Sequence, residues 1–138
     1  MGLYAAFDVS EFNYPFDVSG EDAQGKVHFV EVDYGEACEA FVETFLEVAL
    51  DLVPVRTGYL YSTIDANTDG YSFCWAEATA DYAEYVEYGT WKMDAQPYFQ
   101  PALEEAMAVF HDLAGTAVAE AEEILEDIIS TAMEAAMS

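Results

Sequence analysis

Basic side chains are almost missing from this chain. Lys26, Arg56 and Lys92 stand against 28 Asp and Glu, a formal net charge of -25 over 138 residues. Three cations cannot neutralise many phosphates, which argues against nucleic-acid binding through backbone contacts. Histidine is as scarce: only His28 and His111 occur, and neither has a second His or Cys near it. Zinc and most transition-metal sites need such clusters, so no metal is expected. His111 lies beside Asp112 without a Ser or Cys in any triad-like arrangement, and the sequence points to no enzyme and no cofactor. Cys38 and Cys74 match no paired-ligand spacing and read as small buried apolar residues, with a disulfide left open if they meet. No apolar run reaches the ~20 residues that span a bilayer, and the start of the chain lacks the basic region of a signal peptide. A soluble intracellular protein with no membrane partner is therefore expected.

What remains is apolar and aromatic. Hydrophobic residues make up 54% of the chain, which sets it apart from disordered acidic tails and predicts one compact domain. Its charge, however, opposes compaction in dilute buffer, because so few internal cations offset the self-repulsion. At molar ionic strength the Debye length falls to ~3 Å and carboxylates spread over a surface scarcely feel one another. The near absence of Lys in a folded, aromatic-rich chain thus reads as adaptation to a high-salt cytoplasm. The rival reading is an acidic surface that mimics nucleic acid, as in an inhibitor-type binding protein of a halophile.

Periodicity predicts the α+β class: a small antiparallel sheet packed with an amphipathic helix in the first half and a long helix at the end. Residues 1–34 mix aromatics with turn formers and read as short edge strands or an arm lying on a neighbour. Within them Lys26 to Asp33 is rich in Val and Phe and argues a strand, with His28 a packed or rim residue. From Glu36 the carboxylates of Glu36, Glu39, Glu43, Glu47 and Asp51 recur at helical spacing beside Ala37, Phe41, Phe45, Val48 and Leu52. Pro54 stops that helix. Tyr59 to Ala66 and Tyr71 to Thr79 read as two strands of a hairpin closed by Asn67-Thr68-Asp69-Gly70, the face with Tyr71, Phe73 and Trp75 being the buried one. Beyond Pro97 and Pro101, the positions Phe99, Leu103, Met107, Phe110, Ala114, Ala117, Ala121, Leu125, Ile128 and Ala132 keep helical spacing, with Gly115 a place for a bend. Unbroken, such a helix is ~55 Å long, more than a small domain covers, and its distal half is expected to pack on another subunit.

Three clusters interrupt this pattern. Pro54, Thr57 and Gly58 form a turn around Arg56, a candidate inter-subunit clamp on a carboxylate or else one half of a local ion pair. Tyr82, Tyr85, Tyr88 and Trp91 stand three residues apart, an aromatic ridge fit for an interface, with Glu87, Gly89 and Thr90 among them. Pro97, Phe99 and Pro101 set the entry to the last helix. In their order, Pro54-x-Arg56-Thr57-Gly58-x-Leu60, Tyr82-Ala83-x-Tyr85-Val86-Glu87-Tyr88-Gly89-Thr90 and Ala95-x-Pro97-Tyr98-Phe99-x-Pro101-Ala102 resemble the neck or tail-completion family of long-tailed phages, often described as a minor tail component. The resemblance covers residues 36–110 and leaves 1–34 and the helical extension 111–138 unmatched. It implies one head-tail joining domain over 1–138 that assembles with itself into a ring, a hexamer or else a dodecamer. It further implies a place in the virion, after assembly in the host cytoplasm, between other neck, portal-adaptor and tail-tube or tail-terminator proteins, with genomic DNA passing unbound. Together with the acidity it implies a tailed virus of a halophilic archaeon.

Overall fold

The computed structural model describes residues 2–55 and 58–137. Arg56 and Thr57 lie outside the described residues. The fold is α+β: a three-stranded antiparallel sheet, a two-stranded hairpin and a long C-terminal helix packed on an earlier one.

The first strand, β1 (Leu3–Asp8), is no detached arm. It pairs antiparallel with β5 (Phe73–Ala78) from Leu3↔Ala78 to Asp8↔Phe73, and β4 (Ile64–Thr68) pairs on the other side of β5. β2 (Asp17–Glu21) and β3 (Val27–Glu31) form the separate hairpin, whose turn is organised by Asp22. Its carboxylate accepts the backbone N–H groups of Gln24 and Lys26 and lies 2.9 Å from His28 Nε2, so His28 serves the turn.

Helix α1 (Gly35–Leu52) turns Ala37, Cys38, Phe41, Phe45 and Ala49 inward, and Glu36, Glu39, Glu43, Glu47 and Asp51 are all exposed, as the periodicity requires. The expected apolar face fails only at Leu52, which is exposed in the last turn. Between Gly58 and Ile64 the expected strand is replaced by a single helical turn, α2 (Tyr59–Ser62). Gly58, at φ 80°, starts it, and the hydroxyls of Ser62 and Thr63 donate back to the carbonyls of Tyr59 and Leu60. Local side-chain bonds of this kind override strand propensity.

The hairpin of β4 and β5 is present, but the opposite face is buried. Ser72, Cys74, Ala76 and Ala78 point inward, while Tyr71 is exposed and Phe73 and Trp75 are half-buried. The cause is packing: α1 brings large rings, Phe41 and Phe45, to the sheet, and only small strand residues leave room for them. Cys38 on α1 and Cys74 on β5 do meet there, both as buried free thiols, and Cys74 donates its S–H to Thr68 Oγ1 at 3.8 Å. The Cys38 thiol beside it, then burial, push the Cys74 thiol above its ordinary value. Phe7 joins the layers, its ring centroid 5.1 Å from Phe41 and 4.9 Å from Phe110. Each such buried ring contributes roughly 1.5–3 kcal/mol.

Helix α4 (Phe99–Met137) runs unbroken for 39 residues, ~58 Å, past Gly115. Its first half packs on α1 through Ala102, Ala106, Phe110 and Ala114. Its distal half, expected to need another subunit, is instead partly covered by its own chain. The β2–β3 hairpin lies over Leu125 and Ile129, so close that a Cβ built on Gly20 would stand 3.1 Å from Ile129 Cδ1. The linker before that hairpin is pinned as well, since the Tyr14 hydroxyl lies 2.8 Å from His111 Nδ1 and Phe12 stands edge-on to the imidazole. Among the described residues no helix is long and apolar enough to cross a membrane.

Candidate interaction site

The aromatic ridge sits on α3 (Ala83–Tyr88) and the turn after it. Tyr82 precedes the helix, and Tyr85 and Tyr88 follow at three-residue spacing on one side of it. The other side buries Ala83 and Glu87. Helical spacing therefore splits the predicted set: Tyr82, Tyr85 and Tyr88 face outward, with Trp91 on the loop beyond, and Glu87 faces in.

Glu87, only 3% exposed, is not part of the outer face. Its Oε1 accepts the N–H of Tyr98 at 2.9 Å and of Phe99 at 2.7 Å, and its Oε2 that of Gln100 at 2.9 Å. A helix start leaves four backbone donors without intrahelical partners. Here Glu87 takes three and Pro101, having no N–H, removes the fourth, so Pro101 and Glu87 belong to one device. The negative charge also suits the positive end of a long helix. Tyr98 completes the joint by donating its hydroxyl to the Ala83 carbonyl at 3.0 Å. Burial, then the charge of Glu87, raises the Tyr98 phenol above its ordinary value.

Gly89 ends α3 at φ 76°. A Cβ there would stand 2.7 Å from the Ala95 nitrogen, so the residue is required by a close backbone approach as well as by its torsion. Thr90 then closes a small loop with Met93, N–H to carbonyl at 2.8 Å in one direction and 3.2 Å in the other, and Gln96 donates its N–H to the Val86 carbonyl at 2.8 Å. Trp91 rides on that loop, 90% exposed, with Lys92 Nζ 4.8 Å above its ring.

Beside the ridge lies an apolar cleft of about 480 Å³ between α2 and α3, walled by Pro54, Gly58, Tyr59, Leu60, Tyr82, Tyr85, Val86, Met93 and Gln96. Tyr59 and Tyr82 meet across one wall at 6.2 Å between centroids. Pro54 and Gly58, predicted as turn residues, are thus cleft residues too. Sequence reading puts Tyr59 in a strand and Met93 in a plain loop; Ser62 and Thr63 soon after Gly58, hydroxyl residues able to bond back to the backbone, are the signal that places Tyr59 on a turn. Arg56, the candidate clamp, is among the residues not described.

Chemically the site offers amphipathic rings, thioether and aliphatic surface, and none of the described lining residues of the cleft carries a charge at neutral pH. Among the described residues no group of three or more His, Cys, Asp or Glu is placed to hold a metal ion. The arrangement suits adhesion, in which rigid rings supply contact area at low entropy cost. The chain matches no family model, no curated protein and no solved structure.

Proposed function

We propose that this chain is a structural subunit of the head-tail joint of a tailed virus of a halophilic archaeon, a neck or tail-completion protein. It closes into a ring, a hexamer or else a dodecamer, between the portal side and the tail, and lines the passage for the genome without binding it specifically.

One observation carries the reading: a fixed, outward-facing aromatic surface on a chain with a formal net charge of -25. Tyr85 is 50% exposed, Tyr88 68% and Trp91 90%, and the backbone beneath them is locked by Glu87 and Gly89. An exposed apolar patch of this size marks an interaction site. The order of the three sequence clusters supports the choice of family, and the exposed column of Glu36, Glu39, Glu43, Glu47 and Asp51 on α1 supports a DNA-facing wall that repels phosphate.

The test is the assembly state in molar KCl, by light scattering and electron microscopy, with mass spectrometry of purified virions. A ring and a virion-borne protein are expected. A well-folded monomer that is missing from virions overturns the proposal, and a monomer or dimer that displaces DNA from a DNA-binding protein replaces it with the mimic.

A further inference from the structure

Cys38 and Cys74 are the only cysteines in the chain, far apart in sequence, and the fold sets them side by side between α1 and β5. Burial alone does not ask for cysteine there, since Ala66, Ala76 and Ala78 fill the same face of the sheet and are buried too. The surroundings also give the two thiols different characters. Cys38 stands in the first turn of the 18-residue helix α1, its N–H bonded to the Tyr34 carbonyl at 2.9 Å, so it lies at the positive end of the helix, where a thiolate is favoured. The Cys74 S–H beside it, as a hydrogen-bond donor, holds the Cys38 thiol below its ordinary value, while Cys74 keeps its proton. Cys74 is positioned in turn by Thr68, its partner in the β4–β5 register. The Thr68 hydroxyl donates to the Phe73 carbonyl at 2.7 Å, accepts the Gly70 N–H at 3.0 Å and lies 3.8 Å from the Cys74 sulfur.

We propose that Cys38 and Cys74 are a redox pair, closed by hydrogen peroxide into a disulfide that staples α1 to the central strand of the sheet, β5. The pair is independent of the head-tail reading and stands or falls without it.

The chemistry needs one oxidant and balances with it. The Cys38 thiolate attacks one peroxide oxygen, the O–O bond breaks, and the departing hydroxide takes up a proton and leaves as water, with Cys38 now a sulfenic acid. The Cys74 sulfur then attacks the Cys38 sulfur, the S–O bond breaks, and the Cys74 proton leaves with that hydroxide as the second water. Two thiols and one peroxide become one disulfide and two waters: the cysteines lose two electrons and the peroxide gains them. Burial selects the oxidant. Both residues are 0% exposed, which shuts out exchange with a bulky disulfide, whereas a peroxide close to water in size enters through ordinary local opening. The bond closes a loop of about 36 residues that holds α2, β4 and one wall of the cleft, and it stabilises by restricting the unfolded chain.

The experiment treats the folded full chain in molar KCl with hydrogen peroxide and reads intact mass, free thiols and melting temperature. The wild type is expected to lose about 2 Da as both thiols vanish, with Cys38 and Cys74 in one cross-linked peptide. Its Tm should rise by roughly 5–15 °C and return on addition of dithiothreitol. Cys74→Ala should gain about 16 Da, a sulfenic acid on Cys38, with no rise in Tm, and Cys38→Ala should keep its remaining thiol reduced. The proposal is overturned if both wild-type thiols stay reduced, if oxygen is added to each without a bridge, or if the disulfide joins two molecules. A bridge that lowers the Tm overturns it as well, because a strained link is not a staple. Mass and peptide mapping of the wild type decide the matter even where an alanine variant fails to fold.

Discussion

Removing the Glu87 carboxylate should loosen the start of α4 and the aromatic surface together. In Glu87→Ala the N–H groups of Tyr98 and Phe99 lose their acceptor while buried, and that of Gln100, part-buried, turns to water. Each buried donor left unpaired costs about 1–3 kcal/mol, and the helix also loses a favourably placed anion. Against this, the desolvation of the carboxylate is recovered, giving a net loss of roughly 3–5 kcal/mol. Glu87→Gln keeps one oxygen for Tyr98 and Phe99 but sets its amide against the Gln100 donor, for about 1.5–3 kcal/mol. For a domain of this size each kcal/mol moves the Tm by ~3–5 °C, so the Ala variant should melt ~10–20 °C lower and Gln fall between it and wild type. Thermal melts should be followed by circular dichroism in molar KCl. Because the bonds are buried, the difference should persist as salt is raised further. An Ala variant within ~1 kcal/mol of wild type, or a deficit that salt erases, would refute the assignment of Glu87 as the cap of α4.

Two glycines should respond in opposite directions. Gly89→Ala puts a Cβ 2.7 Å from a backbone nitrogen at a positive φ and should cost about 2 kcal/mol or more, while Gly115→Ala, with open space around it inside α4, should stabilise by about 0.5–1 kcal/mol; chemical denaturation measures both. Acid should remove a contribution to stability made by Asp8, Asp22 and Asp69. Donors hold all three carboxyls below their ordinary value: chiefly the Ser10 N–H for Asp8, His28 for Asp22, and the N–H of Phe73, then of Ser72 and Tyr71, for Asp69. A depressed folded value means the contribution is whole above the ordinary 3.8 and is lost as pH falls through the lower folded values, so Asp69→Asn should flatten the acid limb of a stability profile. Raising KCl from dilute to molar should raise the Tm of the wild type, since screening relieves a net charge of -25; an unchanged Tm would remove the argument from salt.

The helices were legible because their code is local. In α1 the alternation of Glu36, Glu39, Glu43 and Glu47 with Phe41 and Phe45 fixes which side is wet, and the same period carries α4 from Phe99 to Leu125. The strands were harder, because a two-residue period states that the faces differ without stating which is inside. In β5 the rings of Phe73 and Trp75 suggested a core, yet the choice belongs to α1, whose own rings require Cys74 and Ala76 opposite them. The turn at Tyr59 to Ser62 failed for another reason: its two tyrosines and the Thr63 that follows are strand formers, and hydroxyl-to-carbonyl bonds decided the matter. At the candidate site the aromatic spacing was readable. The inward turn of Glu87 was not, since it answers donors more than ten residues away.

The pairing of Leu3 with Ala78 has a further consequence for synthesis of the protein. The first strand leaves the ribosome ahead of its mate by the whole of the β2–β3 hairpin, α1 and β4, so the apolar Leu3, Ala5 and Phe7 edge waits unshielded until β5 has followed. At high ionic strength, where screening would no longer hold acidic chains apart, that delay is the period in which a nascent chain is most exposed to its neighbours.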